Sequence, residues 1–315
     1  MRVLIAIILM FGWADGFGQI IRAQPFHTSR VVSVVTDTLL LDSFPNAAAA
    51  YSLRKLRTGY TGSAIRVRRS SNNNEQDIGF VDNFLDTASL KTFCSGTNCF
   101  VTTWYDQGDS ARNATQTTAA QQPRIVLSGA ISKQGTKVGL NFVNGTNRLS
   151  SYKFAAADKN WGVFFVGSAA DVSGSNRNVF GTDGNGFNGN GLYLQFQTSG
   201  ASVINRTGLA LGNSSATTVS NNTTALFHNQ YKSNNEWITE VNADNDTYTS
   251  ALLSGNKFTT GDQSVWWMGA YRSSNNFNTS ISLNGFISEH IVYEADKTTD
   301  RSSIKNNINR NWLIY

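Results

Sequence analysis

The feature that most limits what this chain can fold into is a series of short β-branched or aromatic runs after Pro123. "RIVLSG", "KVGLNFV", "WGVFFVGSA", "NVFGTD", "GLYLQFQTS", "WITEVN", "SVWWMGAY" and "FISEHIVYEA" follow one another, each closed by Gly, Asn, Ser, Asp or a small polar turn. Many short strands at even spacing define an all-β sandwich. Only 15% of residues are charged and Gly is plentiful, whereas helix-rich enzymes carry more Ala, Leu, Glu and Lys. Upstream, "SAIRVRRS" alternates Ile65 and Val67 with Arg66 and Arg68, and "CFVTTWYDQ" is a second strand ending in a polar turn.

Two segments read as helices. In "SFPNAAAAYSLRKLR", Ser43 is a cap, Pro45 suits the first turn, and Ala49, Leu53 and Leu56 recur on one face before Gly59. At the C-terminal end, Asp300 is the expected cap, with Ile304 and Ile308 one turn apart on an inner face. The basic residues from Arg54 to Arg69 read as a solvated face, because no aromatic side chains are interleaved among them for base stacking. A net charge of +5 is modest for 315 residues and does not imply nucleic acid.

The start, "MRVLIAIILMFGWADGFGQ", pairs Arg2 with an apolar run from Val3 to Trp13 and then small residues. This reads as a signal peptide over residues 1–18, a linker over 19–30 and a single domain over 31–315. An uncleaved hydrophobic tail is the other reading. The run is shorter than the roughly 20 apolar residues of a membrane span, and no later run is long enough either. Export makes a disulfide the natural product of Cys94 and Cys99, the only cysteines, which flank "SGTN". No His lies nearby to complete a zinc site, and the spacing is not that of a C-x-x-C redox pair.

"AAAAYSLRKL…GSAIRVRRSS" followed by "TFCSGTNCFVTTWYDQGDSARNATQ" resembles the catalytic domain of family 54 α-L-arabinofuranosidases. The second half, with "KVGLNFVNGTNRLS" and "LNGFISEHIVYEADKTTDRSSIKNNINRNWLIY", is similar to laminin-G-like modules. The resemblance implies a concanavalin A-like jelly-roll sandwich with one short helix in the N-terminal half and one at the C-terminus. It implies a nucleophilic Glu near Leu192 and an acidic Asp near Ser273. No Asp or Glu stands between Asp183 and Glu236, nor between Asp262 and Glu289, and the family's sugar-pocket cysteine pair has no counterpart. A retaining glycosidase needs two carboxyl groups about 5 Å apart, so the chain is expected to be non-catalytic.

The expected role is then a glycan-recognition or adhesion module, secreted or displayed on a cell or virion surface. An arabinofuranosidase-like hydrolase with displaced acids, or a structural spike, fibre or capsid-associated virion protein, are the alternatives. Strand alternation places Leu192, Leu194, Phe196, Trp266, Met268 and Ala270 inward, leaving Tyr193, Gln195, Gln197, Trp267 and Tyr271 on the other face. Aromatic faces beside amides suit a sugar. Asp183 and Asn185, in "TDGNGFNGN", supply oxygen atoms for hydroxyls, or weakly for calcium. No other metal or cofactor is expected. His27, His228 and His290 are far apart in the chain and read as packed or surface residues, and Glu236, Glu240 and Asp244 as solvated charges. The expected partner is a cell-surface, plant or algal polysaccharide, without nucleic acid or a membrane span; a homo-oligomer or virion assembly stays open.

Overall fold

The computed structural model describes residues 38–143, 145–153, 160–170, 177–182, 193–196, 203–207, 210–214, 219–232, 237–243, 265–270, 272–273, 276–277 and 279–315. Residues 1–37 lie outside this range. The proposed signal peptide and linker therefore lie outside the described residues, as do Asp183, Asn185, Leu192 and Tyr271.

Among the described residues, eighteen strands make one continuous antiparallel sheet that curls into two layers, consistent with the expected sandwich. In the first layer, Gly285–Tyr293 lies between Trp161–Ala169 on one side and Ala49–Ser52 with Leu140–Phe142 on the other. From there Ala225–Tyr231 and Trp237–Val241 extend one way. Arg124–Leu127, Cys99–Trp104, Ile65–Arg69 and Glu75–Ile78 extend the other. Thr115 pairs with both Thr103 and Ser150, which carries the sheet into a second run. That run contains Leu149–Lys153, Val265–Met268, Arg177–Thr182 and Tyr193–Phe196.

Every residue of Trp161–Ala169 is buried, so this strand is covered on both faces, which its unbroken apolar run anticipates. Trp104, Tyr51, Phe142, Phe164, Phe165, Phe227 and Tyr293 fill the core with no exposed surface. The helix Arg301–Trp312 covers part of one face with Ile304 and Ile308, as their spacing predicts. Asp300 does precede it, but its side chain makes no cap; its Oδ2 accepts from Lys297 Nζ at 3.1 Å instead.

The first expected helix is wrong. Only Leu40–Ser43 is helical there, and Ala49–Ser52 is a strand paired with Glu289–Val292. Asn46, at φ 66°, turns the chain out of helical geometry. All four strand residues are buried. An apolar run covered on both faces carries no period, and the i, i+4, i+7 recurrence of Ala49, Leu53 and Leu56 was coincidental. A different helix, Thr87–Phe93, begins where Asp86 Oδ1 accepts from Ala88 N at 3.1 Å and Ser89 N at 2.9 Å.

Candidate functional site

The "TFCSGTNCFVTTWYDQ" segment builds the frame. Cys94 ends the helix Thr87–Phe93, Cys99 begins the strand Cys99–Trp104, and a disulfide joins them. Gly96, at φ 67°, makes the loop turn. Asp106 is buried, and its Oδ1 accepts from Ala50 N at 2.7 Å and Gly108 N at 2.8 Å, its Oδ2 from Arg112 N at 2.9 Å. Gln107 bonds Leu56 N, Ser52 O and Arg54 O through its amide. These two side chains lace the strand end to Ala49–Ser52 and are turn-formers, not acid catalysts.

Two further carboxylates are equally committed. Glu289 takes Arg54 in a fork, Nε to Oε2 at 2.8 Å and Nη2 to Oε1 at 3.0 Å, and also accepts from Ser52 Oγ and Trp312 Nε1. Arg54 is thus buried rather than solvated. Glu240, expected at the surface, is fully buried, with Arg301 Nε at 2.8 Å, Lys305 Nζ at 3.0 Å and His228 Nδ1 at 3.1 Å. Burial pushes the Glu240 carboxyl up, but His228 and Lys305 outweigh it and hold it at about 2. Burial lowers the His228 pKa, so the neutral ring donates Nδ1–H to Glu240. Both groups lock the C-terminal helix to the sheet. Saturated carboxylates of this kind have no capacity left for proton transfer. Glu236 and Asp244 lie outside the described residues.

The open chemistry is on the second run. Register sets up one level across it: Tyr193 opposite Gly181, Gly181 opposite Trp267, Trp267 opposite Ser150, and Ser150 opposite Thr115. Met268 and Ala270 are buried and Trp267 is half-buried, as alternation requires. Trp267 meets Phe277 edge-on at 4.8 Å, and the Arg148 guanidinium sits 3.7 Å from the Phe277 ring centroid. Tyr193 and Gln195 fall in the strand Tyr193–Phe196, of whose side chains nothing is described; Ser273 stands likewise in the short strand Arg272–Ser273.

Sequence reading missed Arg148 and Phe277, because each becomes part of this cluster only through pairing distant in the chain. Their support is an amide network. Asn147 Nδ2 donates to Gln122 O at 2.9 Å, Gln122 Nε2 to Gln116 O at 2.9 Å, and Gln116 Nε2 to Arg148 O at 3.3 Å. Gly145 makes the loop possible: at φ 67°, a Cβ there would lie 1.9 Å from Thr279 O. The result is an aromatic and cationic platform, suited to a sugar's C–H face and hydroxyl rim. Among the described residues, no group of His, Cys, Asp and Glu is placed to hold a metal ion.

The described residues thus form a curled antiparallel sandwich with an aromatic and cationic platform on its second run. The chain belongs to the family described as alpha-L-arabinofuranosidase B, catalytic, whose model matches residues 41–288. A probable alpha-L-arabinofuranosidase B of Aspergillus flavus is 34% identical over 74 residues, covering 23% of this chain and 15% of that protein. Two solved structures align with TM-score 0.63 at 16% identity, over 85% of this chain and 64% of theirs. One is a glutamate-to-glutamine mutant of a GH54 arabinofuranosidase soaked with 4-nitrophenyl α-L-arabinofuranoside. The other is an arabinofuranosidase complexed with arabinofuranosyl-α-1,2-xylobiose. This chain spans less than two thirds of their length. Family membership over residues 41–288 overturns the expectation of a non-catalytic adhesion module, which rested on missing carboxylates at two aligned positions.

Proposed function

We propose that this protein is a glycoside hydrolase that removes α-L-arabinofuranosyl groups from arabinose-bearing polysaccharides. The observation that carries the reading is the family match over residues 41–288, which coincides with the sandwich itself. Trp267 is the proposed sugar platform, and Tyr193, Gln195, Asn185 and Tyr271 are further candidates from the sequence pattern.

The acids are displaced from the family's positions. Asp183 directly follows Thr182, and Asp262 precedes Val265 by three residues. Thr182 pairs with Trp266, beside the level of Gly181 and Trp267. Asp183 and Asp262 lie outside the described residues and are proposed as the acids because, in sequence, they flank the strands Arg177–Thr182 and Val265–Met268 that carry this level. One acts as nucleophile and the other as general acid, a division that needs no metal or cofactor. The N-terminal apolar run and the Cys94–Cys99 disulfide support an exported enzyme.

The test is product analysis after incubation with arabinofuranosyl xylo-oligosaccharides. Free arabinose and a shortened, unbranched xylo-oligosaccharide are expected. Intact substrate at high protein concentration would overturn the reading. Trp267→Ala is expected to raise KM about tenfold with a smaller change in kcat, a loss of binding shared by ground and transition states.

A further inference from the structure

A second row of register partners crosses the first layer. Arg68 stands opposite Phe100, Phe100 opposite Arg124, Arg124 opposite Asn141, and Asn141 opposite Phe286. All five are partly exposed, while Val67, Val101, Ile125, Leu140 and Ile287, which alternate with them, are buried. At the usual strand spacing of about 4.8 Å the row is roughly 19 Å long.

Its charge is not neutralised. Arg68 places its guanidinium carbon 5.4 Å from the Phe100 centroid and donates only to neutral groups, Gln122 Oε1 at 2.8 Å and Asn73 Oδ1 at 2.7 Å. Glu75, its register partner on the outer side, gives its carboxylate to Arg66 Nε at 2.7 Å. Arg124 has no hydrogen bond or ion pair from its guanidinium among the described residues, and its Nε is buried without a partner. A desolvated, unpaired guanidinium N–H is costly unless an acceptor arrives.

We propose that this row binds the acidic main chain of a uronate-bearing polysaccharide. Sugar rings stack on Phe100 and Phe286, Asn141 takes hydroxyls, and carboxylates bridge to Arg124 and Arg68 in the forked geometry guanidinium favours. Two unneutralised arginines suit a polymer with scattered carboxylates. A duplex nucleic acid commonly engages six or more basic contacts. Gln122 ties this row to the Trp267 platform: it accepts from Arg68 through its side chain and from Asn147, next to Arg148, through its backbone. The proposal rests on the arabinofuranosidase reading and adds the substrate's main-chain class: arabinose branches on an acidic polysaccharide. It also supplies the interleaved aromatic that the linear sequence around Arg68 lacks, from a neighbouring strand.

Affinity electrophoresis of the full chain through polygalacturonate, its methyl ester and duplex DNA tests the row without needing catalysis. Strong retardation by polygalacturonate alone is expected, weakening as salt rises. Arg124→Ala and Phe100→Ala should each weaken it about tenfold or more, with Arg124→Lys intermediate and denaturant midpoints confirming the fold. Equal retardation by the methyl ester or by DNA, or unchanged binding in both variants, would overturn the proposal. Turnover of an aryl arabinofuranoside by the unmodified chain reports on the hydrolase reading separately, so the two failures are distinguishable.

Discussion

Two kinds of region on the curled sheet handle polar groups in opposite ways. Under the C-terminal helix, Glu289 and Glu240 are buried and every oxygen meets a donor from Arg54, Ser52, Trp312, His228, Arg301 or Lys305. Around Trp267 and along the Arg68 to Phe286 row, cations and aromatic rings stand half-exposed. The difference teaches where to look for chemistry. Carboxylates are not scarce in this protein, but among the described residues the buried ones, Asp106, Glu240 and Glu289, are fasteners. A carboxylate that must pass a proton to substrate cannot already be the anchor of an arginine, a tryptophan and a serine. The helix-covered region supplies rigidity, and the open region carries the groups proposed for recognition.

The largest expected effect breaks a fastener. Glu289→Ala leaves Arg54 buried without its counterion and should cost about 3–5 kcal/mol in denaturant unfolding. Replacing both partners, as Arg54→Met with Glu289→Leu, should recover most of that loss. If the single variant cost under about 1 kcal/mol, the pair would not be a fastener.

A second test uses pH. Burial holds the His290 pKa down at about 3 from its ordinary 6.5, so the folded state keeps the ring neutral where the unfolded chain is protonated. Its contribution is therefore complete above pH 6.5 and lost as pH falls towards 3, at up to about 1.4 kcal/mol per pH unit. His290 packs against the rings of Tyr51 and Phe165, so Phe is the substitute of most similar shape. His290→Phe should flatten the dependence of urea midpoint on pH between 6.5 and 4. An unchanged slope would assign it to other groups.

The smallest effect belongs to the disulfide. It closes a short loop, so Cys94→Ser with Cys99→Ser should cost about 2 kcal/mol. A loss as large as that of Glu289→Ala would make the helix-to-strand staple, and not the buried ion pairs, the main constraint on the fold.

Much of this organisation was legible from local pattern. The strands Ile65–Arg69, Cys99–Trp104 and Trp161–Ala169 follow from β-branched runs and alternation. Ile304 and Ile308 gave the inner face of the last helix, and Met268 and Trp267 sort to opposite faces as their spacing requires. What stayed hidden depends on partners distant in the chain. Ala49–Ser52 imitates a helix because alanines buried on both faces carry no period. Arg54 looks like one more surface base until Glu289, 235 residues away, is seen against it. The Arg148 and Phe277 contact and the row through Phe100 arise from sheet register alone. Missing acids at two aligned positions proved a poor guide to family, because the match over residues 41–288 rests on the whole pattern of strands and not on two positions.

The central claim is the proposal that this sandwich hydrolyses arabinofuranosides with Asp183 and Asp262 as its two acids. Its most direct test is the rate of 4-nitrophenol release from 4-nitrophenyl α-L-arabinofuranoside by the unmodified chain, by Asp183→Asn and by Asp262→Asn. The account predicts saturable turnover by the unmodified chain and a kcat lower by about 10²–10⁴-fold in each variant, with unchanged denaturant midpoints. Release at the unmodified rate by both variants, or none by the unmodified chain, would contradict it.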